Sequence, residues 1–186
     1  MTVYAGIGGR DIPKYIYDYM VSIGEYLSNC VLRSGHAEGS DSAFEEGCDN
    51  YGGRKEIYIP WKGFNKSDSN LYHITDEALE LAAKYHPAWD KLSKWAKQLM
   101  ARNCFQVLGK DLKTPCDFIV CWTKNGKMIG GTSQALRIAK DYNIPIFNLG
   151  CYNSEDEIRK ALKKFFIDNG FGKSEDFIIP QLSRIS

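Results

Sequence analysis

The sequence predicts an α/β chain, a three-layer sandwich around a mostly parallel sheet of about five or more strands. Three observations carry this expectation. Short apolar runs alternate with longer amphipathic stretches along the chain. The strongest run, from Asp117 to Trp122, is uniformly apolar at its centre, as a strand covered on both faces should be. Three of the five runs end in glycine-containing turns, which places those turns along one sheet edge.

Residues 2–7 form the first expected strand, ending in Gly8-Gly9-Arg10. Pro13 opens a helix to about residue 29, with Ile16, Met20, Ile23 and Leu27 at helical spacing. Residues 30–33 form a short second strand, and a turn from Ser34-Gly35 through Gly39-Ser40 leads into a helix to about residue 51. Residues 56–59 form a third strand, stopped by Pro60. The polar stretch 62–72 lacks periodicity and reads as a functional loop or a mobile cover. Residues 75–85 and 88–108 step in threes and fours and are split by Pro87, making 60–110 a helical insertion. The strand at 117–122 precedes Gly130-Gly131-Thr132-Ser133, which opens a helix to about residue 142. Residues 145–149 form a fifth strand, and residues 154–169 a last amphipathic helix stopped by Gly170, followed by a polar tail to residue 186.

Length and composition fit one soluble globular domain over residues 1–186. Hydrophobic residues make up 44% and charged residues 25%, which excludes a disordered chain, a coiled coil and a collagen-like fibre. The 24 basic and 23 acidic residues balance to +1, which argues against coating nucleic acid by bulk charge. No stretch reaches the roughly 20 apolar residues of a membrane helix. The first ten residues show no leader pattern. The six cysteines form no C-x-x-C pair and read as free thiols in a reduced, cytoplasmic protein. His36, His73 and His86 lack metal-ligand spacing, so no metal is expected. Neither G-x-G-x-x-G nor G-x-x-x-x-G-K-[ST] is matched, and no cofactor is expected.

The turns hold the candidate site. Glycines after a strand let backbone N–H groups approach an anion, and a following helix N-terminus favours negative charge. Gly8 and Gly9 are followed by Arg10, whose planar guanidinium suits phosphate. The alternative is a tight turn with a surface arginine. Ser34, Gly35, Gly39 and Ser40 line the second turn, with Asp41 and Glu45 four residues apart on one helix face. Either carboxylate can hold a ribose or act as a base, although Ser42 to Glu45 also fits a capping box. His36 reads mainly as a loop residue. Gly130, Gly131, Thr132, Ser133 and Gln134 give two glycines, two hydroxyls and an amide at a helix start, more than a cap requires. Arg102 lies among apolar neighbours in its helix and can reach an anionic ligand or extend into solvent. Trp122 reads as core or pocket wall, Trp61 as a stacking or wall residue, and Trp89 and Trp95 as packing residues.

The segments Ala5 to Asp11, Leu32 to Gly47 and Gly130 to Leu149, in this order, resemble the SLOG superfamily, strongest over residues 2–150. That group includes the DprA/Smf DNA-processing proteins and the LOG-type nucleotide phosphoribohydrolases. The similarity is greatest to small stand-alone DprA-like domains, often carried by bacteriophages. It implies a Rossmann-like sheet and a nucleotide site at the turns. LOG enzymes carry P-G-G-x-G-T-x-x-E with a catalytic Glu and a partner Arg in a preceding helix. Here Arg102 matches the helix Arg, whereas Arg137 stands where the Glu would fall and the third glycine is absent. The leading expectation is therefore binding of a nucleotide or nucleotide-derived molecule, extended to a signalling nucleotide sequestered in phage–host conflict. The alternatives are a nucleotide N-glycosidase using Asp41 and Glu45, and a DprA-like single-stranded DNA binder. The resemblance also implies a homo-oligomer, and no membrane partner is expected.

Overall fold

Five parallel strands are built where the apolar runs predict them. The computed structural model describes residues 1–171, and the polar tail beyond lies outside the described residues. The strands are β1 (Val3–Gly8), β2 (Val31–Ser34), β3 (Arg54–Ile57), β4 (Phe118–Trp122) and β5 (Ile146–Asn148), in the order β3-β2-β1-β4-β5. Among the described residues six α-helices connect and follow them: α1 (Lys14–Tyr26), α2 (Ser40–Asn50), α3 (Asp76–Tyr85), α4 (Lys94–Leu108), α5 (Thr132–Asp141) and α6 (Glu155–Asp168). The central pair is β1 with β4, in register from Tyr4↔Phe118 to Gly8↔Trp122.

Strand alternation sorts the core into two layers. Tyr4, Leu32, Phe118, Val120 and Phe147 pack against α1, α2 and α6. Ala5, Ile7, Ile119 and Cys121 face α3, α4 and α5. The helices of the expected insertion thus form a full layer together with α5. The order 3-2-1-4-5, with covering helices on opposite faces, creates a switch point between β1 and β4, where the fold leaves a crevice.

Several boundaries differ from expectation. α1 stops at Tyr26, three residues early, and Pro13 precedes its first turn. β3 begins at Arg54, two residues early, because an edge strand tolerates exposed charge at Arg54 and Lys55. The stretch 62–72 is pinned rather than a loose cover. Phe64 is buried, Ser69 Oγ donates to the Ile57 carbonyl at 2.6 Å, and Tyr58 bridges to Leu71. α4 begins at Lys94, because the Ser93 hydroxyl accepts from the Ala96 amide and caps it, while Trp89–Lys91 form a separate 3₁₀ turn. Trp95 is 59% exposed, so it is not a core residue, and it meets Trp61 edge-on at 5.3 Å. All six cysteines are free thiols, and burial pushes those of Cys104 and Cys116 up to about 12. Among the described residues, no helix is long and apolar enough to cross a membrane.

The α1–α2 contact depends on a glycine pair. A Cβ on Gly47 would stand 2.1 Å from the Val21 carbonyl oxygen, and one on Gly24 2.8 Å from that of Phe44. Backbone on both sides leaves nothing flexible to yield. Gly47→Ala therefore forces the helices apart, and overpacking outweighs the gain in helix propensity. The expected loss is about 2 kcal/mol, read as a lower urea midpoint with an unchanged slope.

Candidate functional site

A cavity of about 410 Å³ opens at the switch point, beyond the carboxyl ends of β1 and β4. The β1 end supplies Ile7, Gly8, Gly9 and Arg10, and the β4 end supplies Trp122, Thr123 and Lys124. α4 contributes Leu99, Met100, Arg102, Asn103 and Gln106, and Asp41 enters from the first turn of α2. Gly130, Gly131 and Thr132 close the rim before α5. The Gly9 amide donates to the Trp122 carbonyl at 3.0 Å, which fixes the two strand ends together.

Arg102 is the most constrained of these side chains. It is 5% exposed and occupies the space a side chain at residue 35 would need, since a Cβ on Gly35 would overlap its guanidinium. Nη1 donates to the Gly35 carbonyl at 2.5 Å and lies 3.7 Å from Asp41 Oδ2. The Phe64 ring lies 5.9 Å from the guanidinium carbon, within reach of a cation–π contact. Nε is buried without a hydrogen-bond partner. Burial pushes the Asp41 carboxyl up to about 6, against the opposing pull of Arg102 and the Ala37 amide. Burial also lowers Arg102, and the neighbouring charge of Arg10 adds to that effect. Arg10 itself is exposed.

Of the sequence-predicted residues, Gly8, Gly9, Arg10, Asp41, Arg102, Gly130, Gly131 and Thr132 line this cavity. The others serve the walls behind it. Ser34 Oγ donates to Gly6 O at 2.7 Å, and Ser40 Oγ to Gly9 O at 2.9 Å. Ser133 Oγ donates to Gly130 O at 2.6 Å, and Gln134 Nε2 to Ala82 O at 3.3 Å. Gly35 makes room for Arg102. Gly39, at φ +81°, lets the second turn touch the first, because a Cβ there would lie 2.2 Å from Arg10 O. Glu45 points elsewhere: Oε1 is 3.0 Å from His36 Nδ1, and Oε2 is 3.6 Å from Lys55 Nζ. The capping box also does not form, since Gly39 precedes the helix and Ser42 Oγ donates back to Ala37 O. Arg137, at the LOG glutamate position, binds the Tyr85 carbonyl and the Ser133 hydroxyl outside the cavity.

Sequence reasoning missed Lys124, Gln106 and the apolar floor of Leu99 and Met100. Gln106 follows Arg102 by four residues, and that spacing places both on one helix face. Asn103 Nδ2 donates to Gly131 O at 3.2 Å and ties α4 to the glycine turn. Among the described residues, no cluster of His, Cys, Asp or Glu could hold a metal ion.

No protein-family model and no curated protein matches the chain. The fold is similar to that of DNA processing protein A from Helicobacter pylori, a single-stranded-DNA-binding protein. The likeness has a TM-score of 0.53 at 18% sequence identity and covers 96% of this chain and 76% of that one. It establishes a DprA-like fold.

Removing Arg102 leaves the Asp41 carboxylate buried without its cation. Arg102→Leu should cost about 3 kcal/mol at alkaline pH. Asp41 already holds its proton more tightly folded, about 6 against 3.8, so its stabilising effect is full at low pH and lost as pH rises through about 6. Without Arg102 the folded value rises further. The deficit against wild type should therefore be largest near pH 8 and shrink near pH 5, as read by urea unfolding. An equal deficit at both would mean that packing, not charge, is what the arginine supplies.

Proposed function

We propose that the chain binds single-stranded DNA, with a backbone phosphate held in the switch-point cavity. One observation carries the reading. Among the described residues, four charged ones line the cavity, the cations Arg10, Arg102 and Lys124 and the single carboxylate Asp41. Arg10 and Arg102 repel one another across it, and an anion between them relieves that repulsion. The chain's +1 balance thus conceals a locally cationic crevice. The fold likeness to a single-stranded-DNA-binding protein supports the same reading. Gly130 and Gly131 keep the rim open to a phosphate, and Trp122 offers an aromatic wall.

A free nucleotide or nucleotide-derived molecule is the second reading, favoured by the cavity volume of about 410 Å³, within the range of small-ligand sites. Hydrolysis has less support. Glu45 is engaged by His36 and Lys55, and Asp41 by Arg102.

Fluorescence anisotropy with a labelled thymidine 12-mer tests the proposal. Contact with about three cations gives a log–log salt slope of about −2 for a single strand. Arg10→Ala should weaken binding about tenfold and flatten the slope by roughly 0.7. Free nucleotides should compete only weakly, and the second reading predicts the reverse order. No binding of the 12-mer even at about 50 mM salt, where phosphate contacts are strong, would refute the proposal.

Binding should also take up a proton. A phosphodiester near Arg102 weakens that residue's hold on the Asp41 charge and adds a negative charge of its own. Both raise the carboxyl above about 6 in the complex, beyond the effect of Glu45 in the free protein. Affinity for a 12-mer without terminal phosphates should therefore increase as pH falls from about 8 to about 6, then level off. Asp41→Asn should abolish this dependence, measured by calorimetry in buffers of differing ionisation enthalpy.

A further inference from the structure

A second cavity of about 700 Å³ lies beside the first, and Trp122 and Lys124 line both. It is bounded by the turn after β1, the end of β4 and the segment after β5. Its walls differ from those of the first. Tyr15, Trp122 and Tyr152 supply three aromatic rings, and Asn125 and Asn153 supply amides. Tyr15 is 48% exposed although it stands in the first turn of α1, beside buried Ile16. Tyr152 is held by stacking on Phe147, with centroids 5.3 Å apart and planes 18° from parallel. The Trp122 ring is fixed by close approach to Gly9, where a Cβ would stand 2.9 Å from it.

Charge distinguishes the cavities further. Asp11 faces the second one, whose only cation among the described residues is Lys124, on the shared rim. A phosphate is disfavoured beside Asp11 and favoured at Lys124. Aromatic and amide walls suit a base and sugar instead.

We propose that the two cavities take consecutive nucleotides of one strand, divided by Trp122, with Lys124 at the phosphate that joins them. The second cavity is then a nucleoside subsite, its base laid against Tyr15 or Trp122. This rests on the strand-binding reading of the first cavity and adds a direction to it, from the β1–β4 switch point toward the β5 end of the sheet.

Cys151 provides a local reporter. It lines the second cavity and is exposed, whereas Cys48, Cys104, Cys116 and Cys121 are buried and Cys30 is half-buried just before β2, at the amino end of the strands. Alkylation of Cys151 by iodoacetamide is followed by mass spectrometry in the full chain, alone and with saturating thymidine monophosphate, thymidine dinucleotide or thymidine 12-mer. The dinucleotide and the 12-mer should slow Cys151 alkylation several-fold, and the mononucleotide should not. The dinucleotide should bind about tenfold tighter than the mononucleotide, the increment expected of one stacked base. Tyr15→Ser should weaken the 12-mer about tenfold and restore alkylation in its presence. If the 12-mer binds but leaves Cys151 at its free rate, or the dinucleotide gains nothing over the mononucleotide, the second subsite is excluded while the first stands. If no thymidine ligand binds at all, both readings fall together.

Discussion

The site depends on a guanidinium buried against a glycine. Arg102 crosses from α4 to the end of β2, fills the space left by the missing side chain of Gly35, and bonds to that residue's carbonyl. One contact thereby joins the two halves of the molecule, the α4 layer and the β2–α2 turn. It also sets the electrostatics, because a buried cation requires a counter-charge and Asp41 is the carboxylate within reach. Their pairing is incomplete at 3.7 Å, and Nε has no partner. The arrangement is built but not saturated.

Around that contact, the turns serve two purposes that a glycine-rich sequence does not separate. Gly8, Gly39 and Gly35 let loops and side chains approach one another within the wall. Gly130 stands at φ +76° with open space where a side chain would point, so it shapes the rim. The hydroxyls of Ser34, Ser40 and Ser133 bond back to neighbouring carbonyls, which stiffens the turns. A stiff, water-accessible crevice with excess positive charge is preorganised for an anion. Arg10 and Lys124, both exposed, stand at its mouth.

Most of the fold was legible because periodicity reports burial. The β4 run and the Ile16–Leu27 stripe were placed by the faces they bury, and the parallel order followed from alternation. Boundaries were less legible where local chemistry overrides pattern, as with the Ser93 cap and the charged edge strand at Arg54. For the site, the glycine turns pointed to the sheet edge where the cavity opens, and Arg10, Asp41 and Arg102 line that cavity. Glu45 lies one helical turn from Asp41 yet meets His36 and Lys55, partners that spacing alone does not reveal. Lys124 lies in the turn after β4 and Tyr15 at the start of α1, and only the three-dimensional structure brings the two to one cavity. The near-neutral net charge turned the reading toward a small ligand, since a sum over the chain does not show that three cations line one cavity.

The central claim is that the switch-point crevice around Arg102 receives a nucleic-acid phosphate. A crystal structure of the full chain with a thymidine oligonucleotide tests it most directly. The account predicts a phosphate oxygen within hydrogen-bonding distance of Arg10, in the cavity bounded by Arg102 and the Gly130-Gly131 turn. Oligonucleotide density elsewhere on the surface, with that cavity holding only solvent, would contradict it.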